Sequence, residues 1–427
     1  MCFAEPIFTS LSPNTERDDI LLSLKLIFQP WKWKRGNGIK EIEKEFKDYL
    51  GVNNVFSFNS GRSSLLAILS ALEIGRGDEV LLQGFTCNAA VNPIIKLGAR
   101  PVFVDIDDTL NIDPVVLKKK LTTNSKVVIV QHSFGWPAQM KEISEIVKEN
   151  NLFLIEDCAH SLGARWEGRL CGTLGDAAFF SLGRDKIISS VFGGLVVINN
   201  EKLIDKIQAF QEKTGYPSNF WIFQQLLHPF LTNYVVVPTY ALSAILGKLL
   251  LGALHVFSIL SKAVYKKEKR GELSGQFPKK LPNALAILGL HQFKKLERFN
   301  KHRRGVAEIY SKELDRNNFI LPFNKDKSAI EPVFMRYPAL SNKDTDYVLG
   351  RARERKIFLD DGWRKSPIVP SDTDLKRVGY QSGSCPRAEE AARMIVNLPT
   401  HINVSKKDVQ KIIDFLHEQT RDKKDSK

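Results

Sequence analysis

Short apolar runs recur between residues 55 and 199, and amphipathic stretches of helical length separate most of them. The runs lie at 79–82, 101–104, 126–130, 152–155 and 177–180. Strands that alternate with helices predict a mostly parallel sheet that is covered by helices on both faces. The sequence is therefore that of an α/β chain, and ligands of such chains bind at the carboxyl ends of the strands.

The same patterns divide the chain into six parts. We predict a lead-in at 1–50, a large domain at 51–214, an apolar insert at 215–275, a long helix linking two domains at 276–316, a smaller α+β domain at 317–420 and a basic tail at 421–427. A chain of 427 residues, 43% of them hydrophobic, fits one large and one smaller domain. Ser405 followed by Asp408 resembles a capping box that opens the last helix.

The net charge and the cysteine pattern limit the partners, metal sites and cellular compartment that we expect. The formal net charge of +14 favours acidic partners, although much of the excess lies in runs that are typical of solvated helix ends. No basic stripe with interleaved aromatic residues predicts nucleic-acid binding. The five cysteines show neither a CxxC pair nor the histidine spacing of a zinc site, so we expect no metal. Scattered cysteines and the lack of an export-signal pattern indicate the cytoplasm.

Residues 59–64, Asn-Ser-Gly-Arg-Ser-Ser, follow a predicted strand and open a helix. A glycine turn at a helix N-terminus presents free backbone N–H groups and the positive end of the helix dipole, which suits a phosphate. Many helices begin with serine and glycine as ordinary caps, and the segment alone favours that simpler interpretation.

Asp157 ends the predicted strand at 152–155. A carboxylate at the end of a buried strand is unfavourable unless it meets a positive charge or hydrogen-bond donors. A protonated pyridine nitrogen would be such a partner, and a helix N-cap is an equally good alternative.

Lys186 follows Ser181 at the end of another predicted strand. A lysine in a desolvated cleft near other cations has a lowered pKa and attacks carbonyl carbons, although an isolated lysine is usually a surface charge. The order of features favours the chemical role: a phosphate loop, an acid roughly a hundred residues later, then a serine and a lysine. This order is typical of a pyridoxal-phosphate site.

Residues 61–199 resemble the DegT/StrS-type sugar aminotransferases, which are fold-type I pyridoxal-phosphate enzymes. The matching residues are Ser60-Gly61, Gly77-Asp78-Glu79-Val80, residues 98–106 and 155–164, Gly175-Asp176-Ala177, Phe180-Ser181, Lys186, Gly289, Gln292, Leu296 through Arg303-Arg304, and residues 397–401. The resemblance covers most of the chain except about 215–275. It implies an α/β three-layer fold of type I with a mostly parallel sheet, plus a smaller α+β C-terminal domain.

The resemblance also implies roles. Lys186 would form the Schiff base with pyridoxal phosphate, and Asp157 would pair with the pyridine nitrogen. His160 would contact the ring or its 3-hydroxyl, and Cys87 stands at the ring-stacking position. The residues at phosphate-binding positions would be Gly61, Arg62, Ser63 and Ser181. A homodimer with active sites at the subunit interface is implied, as is amino transfer from glutamate or glutamine to a nucleotide-linked keto-sugar for glycan biosynthesis.

The sequence departs from the family pattern at four places. Cys87 replaces a large aromatic residue, Val191-Phe192 replaces Gly-Glu, Pro278 and Lys280 replace an interface Asn and Arg, and Arg62 replaces Thr and strengthens anion binding. Two alternatives stay open. One is a sugar dehydratase with the same cofactor, in which the family carries His at the position of Lys186. The other is a non-catalytic, membrane-associated scaffold or sensor that keeps the fold.

The insert is unusual because residues 215–247 contain no charged side chain, and only Lys248 intervenes before Ser261. Pro229 and Pro238 limit an unbroken helix to about Thr239 onward. Its length would allow a membrane span of roughly 20 residues, but Lys248 argues against one. Aromatic residues and a basic flank favour docking of 220–270 on an anionic membrane surface, at the cytoplasmic face. An apolar flap in the dimer interface is an equal alternative.

Overall fold

The computed structural model describes residues 5–323 and 329–420, so the predicted tail at 421–427 lies outside the described residues. The strands in these ranges are β1 (Ile7–Phe8), β2 (Asn54–Phe58), β3 (Glu79–Gln83), β4 (Thr86–Cys87), β5 (Arg100–Val104), β6 (Ser125–Gln131), β7 (Phe153–Asp157), β8 (Arg165–Trp166), β9 (Arg169–Leu170), β10 (Ala177–Ser181), β11 (Gly194–Ile198), β12 (Phe319–Ile320), β13 (Ile330–Glu331), β14 (Arg336–Ser341), β15 (Ile357–Phe358), β16 (Ile368–Val369) and β17 (Ile395–Pro399). The α-helices are α1 (Arg17–Ile27), α2 (Gly38–Leu50), α3 (Gly61–Ala71), α4 (Asn88–Lys96), α5 (Pro114–Lys120), α6 (Met140–Glu149), α7 (Ile204–Lys213), α8 (Asn219–Leu231), α9 (Val237–Leu242), α10 (Ala244–Val256), α11 (Asn283–Phe293), α12 (Leu296–Glu313), α13 (Thr345–Glu354), α14 (Pro386–Met394) and α15 (Lys406–Thr420).

A seven-stranded sheet in the order β2-β11-β10-β7-β6-β3-β5 forms the centre of the large domain. Every neighbouring pair is parallel except the two pairs that β11 makes with β10 and β2. The predicted strands at 79–82, 101–104, 126–130, 152–155 and 177–180 correspond to β3, β5, β6, β7 and β10. The expected α/β architecture with a mostly parallel sheet is therefore confirmed.

Both faces of this sheet are buried, because successive side chains of a strand point to opposite sides. Leu81 and Val128 belong to a core on the side of α5 and α6. Val80 and Val127, their neighbours in the chain, belong to the larger core on the other side. Each such apolar side chain stabilises the fold by about 1.5–3 kcal/mol relative to exposure. This burial of both faces explains why the strand sequences are continuously apolar and do not alternate between apolar and polar residues.

The carboxyl ends of the parallel strands meet at one edge of the sheet. Asp157 at the end of β7 lies opposite Phe179 of β10 on one side and Gln131 of β6 on the other. Ser181 at the end of β10 lies opposite Gly194 of β11, which in turn pairs with Phe58 of β2. The residues that the sequence singled out therefore follow neighbouring strands.

The C-terminal part forms a smaller antiparallel sheet, β12-β14-β17, beside helices α13 to α15. It is joined to the large domain through the parallel pair of β16 with β4. The Ser405–Asp408 capping box that we expected is confirmed: the Ser405 N–H donates to Asp408 Oδ2 at 3.1 Å, and the Asp408 N–H donates to Ser405 Oγ at 3.2 Å.

The long helix predicted over 276–316 is instead two helices, α11 and α12, separated by a turn at Lys294 and Lys295. The turn tightens because the Lys295 N–H donates to the Gln292 carbonyl three residues earlier, at 2.9 Å. It places the Lys295 ammonium 2.6 Å from Asp18 and 3.0 Å from Asp19 of the lead-in. A contact with a distant segment therefore coincides with the break in a pattern that was continuous in sequence.

The insert also differs from expectation, because the helix predicted from about Thr239 onward is interrupted at Ser243. Ser243 has an extended backbone (φ −155°, ψ 131°), and its hydroxyl accepts the Ile245 N–H at 3.2 Å, so it ends α9 and caps α10. A π-helical turn, Thr232–Val236, joins α8 to α9. Among the described residues, none of the helices combines the length and the apolar character that crossing a bilayer requires.

A substitution at Gly194 tests how closely β11 packs against the loop that precedes α3. A Cβ at Gly194 would overlap the backbone of Ser60, so β11 passes too close to that loop for any side chain. We expect Gly194→Ala to lower the free energy of unfolding by about 2 kcal/mol or more, measured by urea denaturation. The control is Gly305→Ala in α12, where nothing lies within 4 Å of the added carbon. It should stabilise the protein by about 0.5–1 kcal/mol. Equal effects of both substitutions would contradict the packing.

Candidate active site

A cavity of about 250 Å³ opens at the carboxyl edge of the sheet. The sequence-predicted residues that line it are Gly61, Arg62, Cys87, Asp157, His160, Ser181 and Lys186. Ser63 is the predicted residue that does not line it. The Ser63 N–H donates to the Ser60 hydroxyl at 3.2 Å, as the N-cap bond of α3, and its own hydroxyl donates to Asn59 Oδ1 at 2.8 Å. Ser63 therefore supports the loop from behind.

Lys186 lies on the loop that follows β10, and two buried side chains hold the backbone there. The Asn14 amide donates to the carbonyl of Lys186 and, at 3.2 Å, to that of Ile187. Arg303 of α12 donates to Asn14 Oδ1 at 2.6 Å and to the Ile187 carbonyl at 3.0 Å. The backbone that carries the lysine is thus fixed from both the lead-in and α12, and its amine is left to the cavity.

Asp157 is buried, and its Oδ1 accepts the Ala159 N–H at 3.0 Å. Burial raises the pKa of Asp157 to about 6, although the Ala159 N–H and the positive charges of Lys186 and His132 oppose the rise. A carboxyl in this state gains from a further positive partner, because that partner restores the charged form.

The preceding residue, Glu156, faces the other side of β7 and is fully engaged there. It accepts three backbone N–H groups, from Gly172 at 2.8 Å, Leu174 at 2.6 Å and Gly175 at 2.9 Å. Its Oε2 also lies 3.1 Å from His132 Nε2. Glu156 therefore holds the 172–175 turn, and Asp157 is the acid of the pair that serves the cavity.

His160 is buried between aromatic rings. It stacks on Phe134 with a centroid distance of 5.6 Å and meets Trp363 edge-on at 4.9 Å. Burial, together with the nearby positive charges of Lys186 and Arg336, holds the pKa of His160 well below its usual value, so the ring is neutral. Its Nδ1 accepts the Phe134 N–H at 3.3 Å, which leaves the proton on Nε2 and makes that nitrogen a donor.

The N-terminus of α3 and Ser181 lie together at one end of the cavity, where their donors suit a phosphate. A Cβ at Gly61 would lie 3.2 Å from Ser181 Cβ, so glycine permits this close approach. Arg62 does not add a free charge there, contrary to our expectation. Its guanidinium pairs with the buried Glu268, donates to the Ala263 carbonyl at 2.9 Å and lies 4.4 Å from the ring centre of Phe277. Backbone N–H groups and a hydroxyl are the donors that remain for an anion.

Sequence reasoning missed the contribution of the C-terminal domain. Trp363 and Asp361 line the cavity, and Trp363 also contacts Phe85 edge-on at 5.7 Å. Asp361 pairs with the buried Arg336 at 2.7 Å, and Arg336 pairs with Asp185, next to Lys186, at 2.6 Å. None of these residues belongs to a local motif, and the pairing of β16 with β4 brings their segment to the site. Only tertiary structure could have identified them.

Cys87 lines the cavity at the end of β4, and burial raises the pKa of its thiol. The thiol is therefore in its neutral form at neutral pH, and it provides a small apolar contact.

Comparison with known proteins gives a family match over most of the chain. The model of the DegT/DnrJ/EryC1/StrS aminotransferase family matches residues 14–224 and 251–417. The spore coat polysaccharide biosynthesis protein SpsC of Bacillus subtilis (strain 168) is 27% identical over 90% of each chain. The GDP-perosamine synthase of Escherichia coli O157:H7 is 25% identical over 92% of this chain and 93% of its own.

A solved structure supports the fold. The putative sugar aminotransferase Spr1654 from Streptococcus pneumoniae, in its PLP-form, has a TM-score of 0.72 and 19% identity over 97% of this chain and 98% of that one. This likeness confirms the predicted fold type I.

The raised pKa of Asp157 predicts a pH dependence of stability in the cofactor-free protein. Between about pH 4 and pH 6 the folded state keeps a proton that the unfolded state has lost, because the pKa rises from 3.8 to about 6 on folding. The free energy of unfolding should therefore fall by about 3 kcal/mol as pH rises through this window. Asp157→Asn removes the contribution of this carboxyl to the pH dependence. Urea denaturation of the wild type and the variant between about pH 4 and pH 6 therefore isolates that contribution. Parallel curves for the two proteins would contradict the assignment.

Proposed function

The chain belongs to the DegT/DnrJ/EryC1/StrS aminotransferase family, and on that premise we propose that it moves an amino group from glutamate or glutamine to a nucleotide-linked keto-sugar for glycan biosynthesis. The observation that carries the proposal is a single cavity lined by Lys186, Asp157, Ser181 and the N-terminus of α3. The names of the relatives support the substrate class, since they include a GDP-perosamine synthase and a polysaccharide biosynthesis protein.

Pyridoxal phosphate is the cofactor of this family, and the residues of the cavity fit it. The cavity offers an amine for its aldehyde, a buried carboxyl for its ring nitrogen, a helix N-terminus for its phosphate and a neutral imidazole for its hydroxyl. When bound, the cofactor supplies a ring that withdraws electrons from the amino-bearing carbon of the substrate.

Asp157 keeps the ring nitrogen protonated in this proposal. Its carboxyl is buried and accepts one backbone N–H from Ala159, so a positively charged ring nitrogen stabilises its charged form. The neighbouring Glu156 cannot take this role, because its oxygens already accept the N–H groups of the 172–175 turn.

Lys186 is the amine that holds the cofactor and then moves protons. Its backbone is clamped by Asn14 and Arg303, so the side chain extends from a fixed point. A positioned amine of this kind gives and takes protons at the substrate carbon efficiently when it is held within hydrogen-bond reach.

Gly61, Arg62 and Ser181 are proposed to bind the phosphate, the first two through backbone N–H groups at the start of α3. Ser63 then stabilises this loop from behind through Asn59. His160 donates from Nε2 to the ring hydroxyl, and Cys87 packs against the ring where the family has an aromatic residue. Trp363 of the C-terminal domain also lines the cavity and contacts the His160 ring edge-on.

We also propose a homodimer that works in the cytoplasm. Phe28 and Trp31 of the lead-in are 78% and 73% exposed, and neighbouring Leu21 is exposed as well. Large apolar side chains that lie close together on a surface favour coverage by another chain. Attachment to the cytoplasmic face of a membrane is a separate proposal that concerns the insert, and it is independent of the chemistry at Lys186.

The first test is Lys186→Ala, assayed with glutamate and a panel of nucleotide-linked 3-keto and 4-keto sugars. Amino transfer, followed as 2-oxoglutarate formation, should fall by at least about a thousandfold, because the proton-transferring amine is lost. The purified wild type should also show a cofactor absorption band that borohydride bleaches, and the variant should lack it.

Lys206→Ala is the matched control, since Lys206 is a surface lysine paired with Glu73 at 2.9 Å. It should retain both activity and the band. A wild type that takes up no cofactor would favour the scaffold alternative, and a sugar product without nitrogen would favour the dehydratase.

The dimer is tested by light scattering of the full chain after gel filtration. The wild type should have twice the chain mass of 48.3 kDa. Trp31→Glu should shift it towards the monomer, because a buried unpaired charge opposes association. Val115→Glu, at an exposed valine of α5, is the control and should leave the mass unchanged. A wild-type monomer would contradict this proposal without affecting the assignment of Lys186.

A further inference from the structure

Helix α10 exposes a stripe of large apolar side chains. Ile245, Leu249 and Val256 lie along one side of the helix, at positions i, i+4 and i+11, and Leu246 flanks them. Phe257 and Ile259 extend the stripe beyond the end of the helix. These six residues, which we call the α10 face, are each between 41% and 77% exposed. Contiguous apolar exposure of this kind marks a binding surface.

The opposite side of α10 is firmly packed, so the exposed face has a fixed position. Leu254 joins Val236, Tyr240 and Phe358 in a separate apolar core. Gly247 lies directly under the Tyr240 ring, where a Cβ would overlap the ring atoms. Tyr240 meets Phe358 edge-on at 5.3 Å, which connects the insert to the C-terminal domain. The helix is therefore held by one side and presents the other to solvent.

Part of the insert lies outside the residues that the family model matches. Residues 225–250 fall between the two ranges that the family model matches. They include Ile245, Leu246 and Leu249 of the α10 face. The other half of the α10 face, Val256, Phe257 and Ile259, lies within the second matched range, so the family match covers this face only in part.

Positive charges accompany the α10 face. Lys248 is exposed on α10 itself. Lys262, Lys266 and Lys267 line one cleft of about 550 Å³ together with His255 of α10 and the exposed Phe220 of α8. The acids that follow in the chain are Glu268, which is buried against Arg62, and Glu272, which is exposed. The surface around the stripe is therefore predominantly cationic.

We propose that the α10 face docks on the surface of an anionic lipid bilayer. Its apolar side chains enter the interfacial region, and Lys248, Lys262, Lys266 and Lys267 contact lipid phosphates. A helix that combines an apolar stripe with flanking lysines lies in the bilayer interface and gains from anionic lipid. Lys248 at the middle of the stripe reaches the headgroups by extending its side chain along the surface.

A second copy of the chain is a poorer occupant of this face. A symmetric dimer places the same patch on both subunits, so the lysines of one copy would meet the lysines of the other. Like charges opposed across an interface are unfavourable, and the chain as a whole carries +14. Charge complementarity therefore selects an anionic partner.

The docking segment is directly connected to the active-site cavity. Arg184, two residues before Lys186, donates to the Ser261 carbonyl at 2.8 Å and to Gln225 Oε1 at 3.2 Å. Ala263 and Val264, just beyond Ser261, line the cavity. The α10 face is therefore linked through residues 261–264 to the cavity in which the sugar is proposed to react.

The test is flotation of the full chain, loaded with cofactor, on vesicles of phosphatidylcholine with and without phosphatidylglycerol. The wild type should float with the anionic vesicles. The double variant Leu249→Glu, Val256→Glu should lower the vesicle-bound fraction by at least about tenfold. Two apolar contacts are replaced by negative charges, which the anionic lipid repels. Val115→Glu adds one such negative charge at an exposed valine of α5 and should float as the wild type does.

A second variant tests the lysines. Replacing Lys262, Lys266 and Lys267 by Gln should weaken binding to anionic vesicles by about fivefold for each lysine removed, and should reduce the sensitivity to salt. Amino transfer in solution should be unchanged in every docking variant, which separates failure of docking from failure of the catalytic assignment. A wild type that stays in the soluble fraction with both vesicle types would overturn the proposal. So would a double variant with half the particle mass of the wild type, because the α10 face would then be a subunit interface.

Discussion

The burial of one carboxyl group at the end of β7 determines how the site is built. Asp157 accepts one backbone N–H and is flanked by the positive charge of Lys186, and desolvation still raises its pKa to about 6. Glu156, one residue earlier, accepts three backbone N–H groups and needs no further partner. The two acids share a strand and are both buried, but they differ in how completely hydrogen bonds compensate their charge. A cationic ligand stabilises a buried acid whose charge is incompletely compensated. A buried acid whose oxygens are fully hydrogen-bonded instead stabilises the fold.

The sequence predicted the parts of the site that depend on local order. Continuous apolar runs identified the parallel strands, and Gly61, Asp157 and Lys186 follow the ends of such strands, so one rule about parallel sheets brought them together. Asn14, Arg336 and Trp363 could not be found in this way. Each reaches the site from a segment that is distant in sequence, and a buried Arg or Trp has no neighbour pattern that reveals its partner. The break at Ser243 was missed for a related reason, since a serine is compatible with both a helix interior and a cap.

Two of the four departures from the expected family pattern, Arg62 and Phe192, are linked through Phe277. The guanidinium of Arg62 lies over Phe277, and Phe277 packs near Phe192 at a ring distance of 6.0 Å. Phe192 in turn lies under Arg184 at 5.2 Å and against Trp221 of α8 at 5.3 Å. Two aromatic–cation contacts therefore lie beside the N-terminus of α3, at positions where the resemblance predicts Thr and Glu. The changes make sense together, because an arginine without Glu268 and Phe277 would be a buried charge with no partner.

This coupling explains why the insert cannot be treated as a removable appendage. Glu268 is fully buried against Arg62, and Arg184 donates to Gln225 and Ser261 of the insert. Deleting the insert would remove Glu268, the partner of the buried Arg62, at a cost of about 3–5 kcal/mol. It would also remove the hydrogen-bond acceptors of Arg184. Loss of activity after such a deletion would then report disruption of the loop at residues 184–186 and would say nothing about the surface that the insert presents. The two roles of the segment separate only at exposed positions such as Leu249 and Val256, which touch solvent on one side and leave the ion pairs in place.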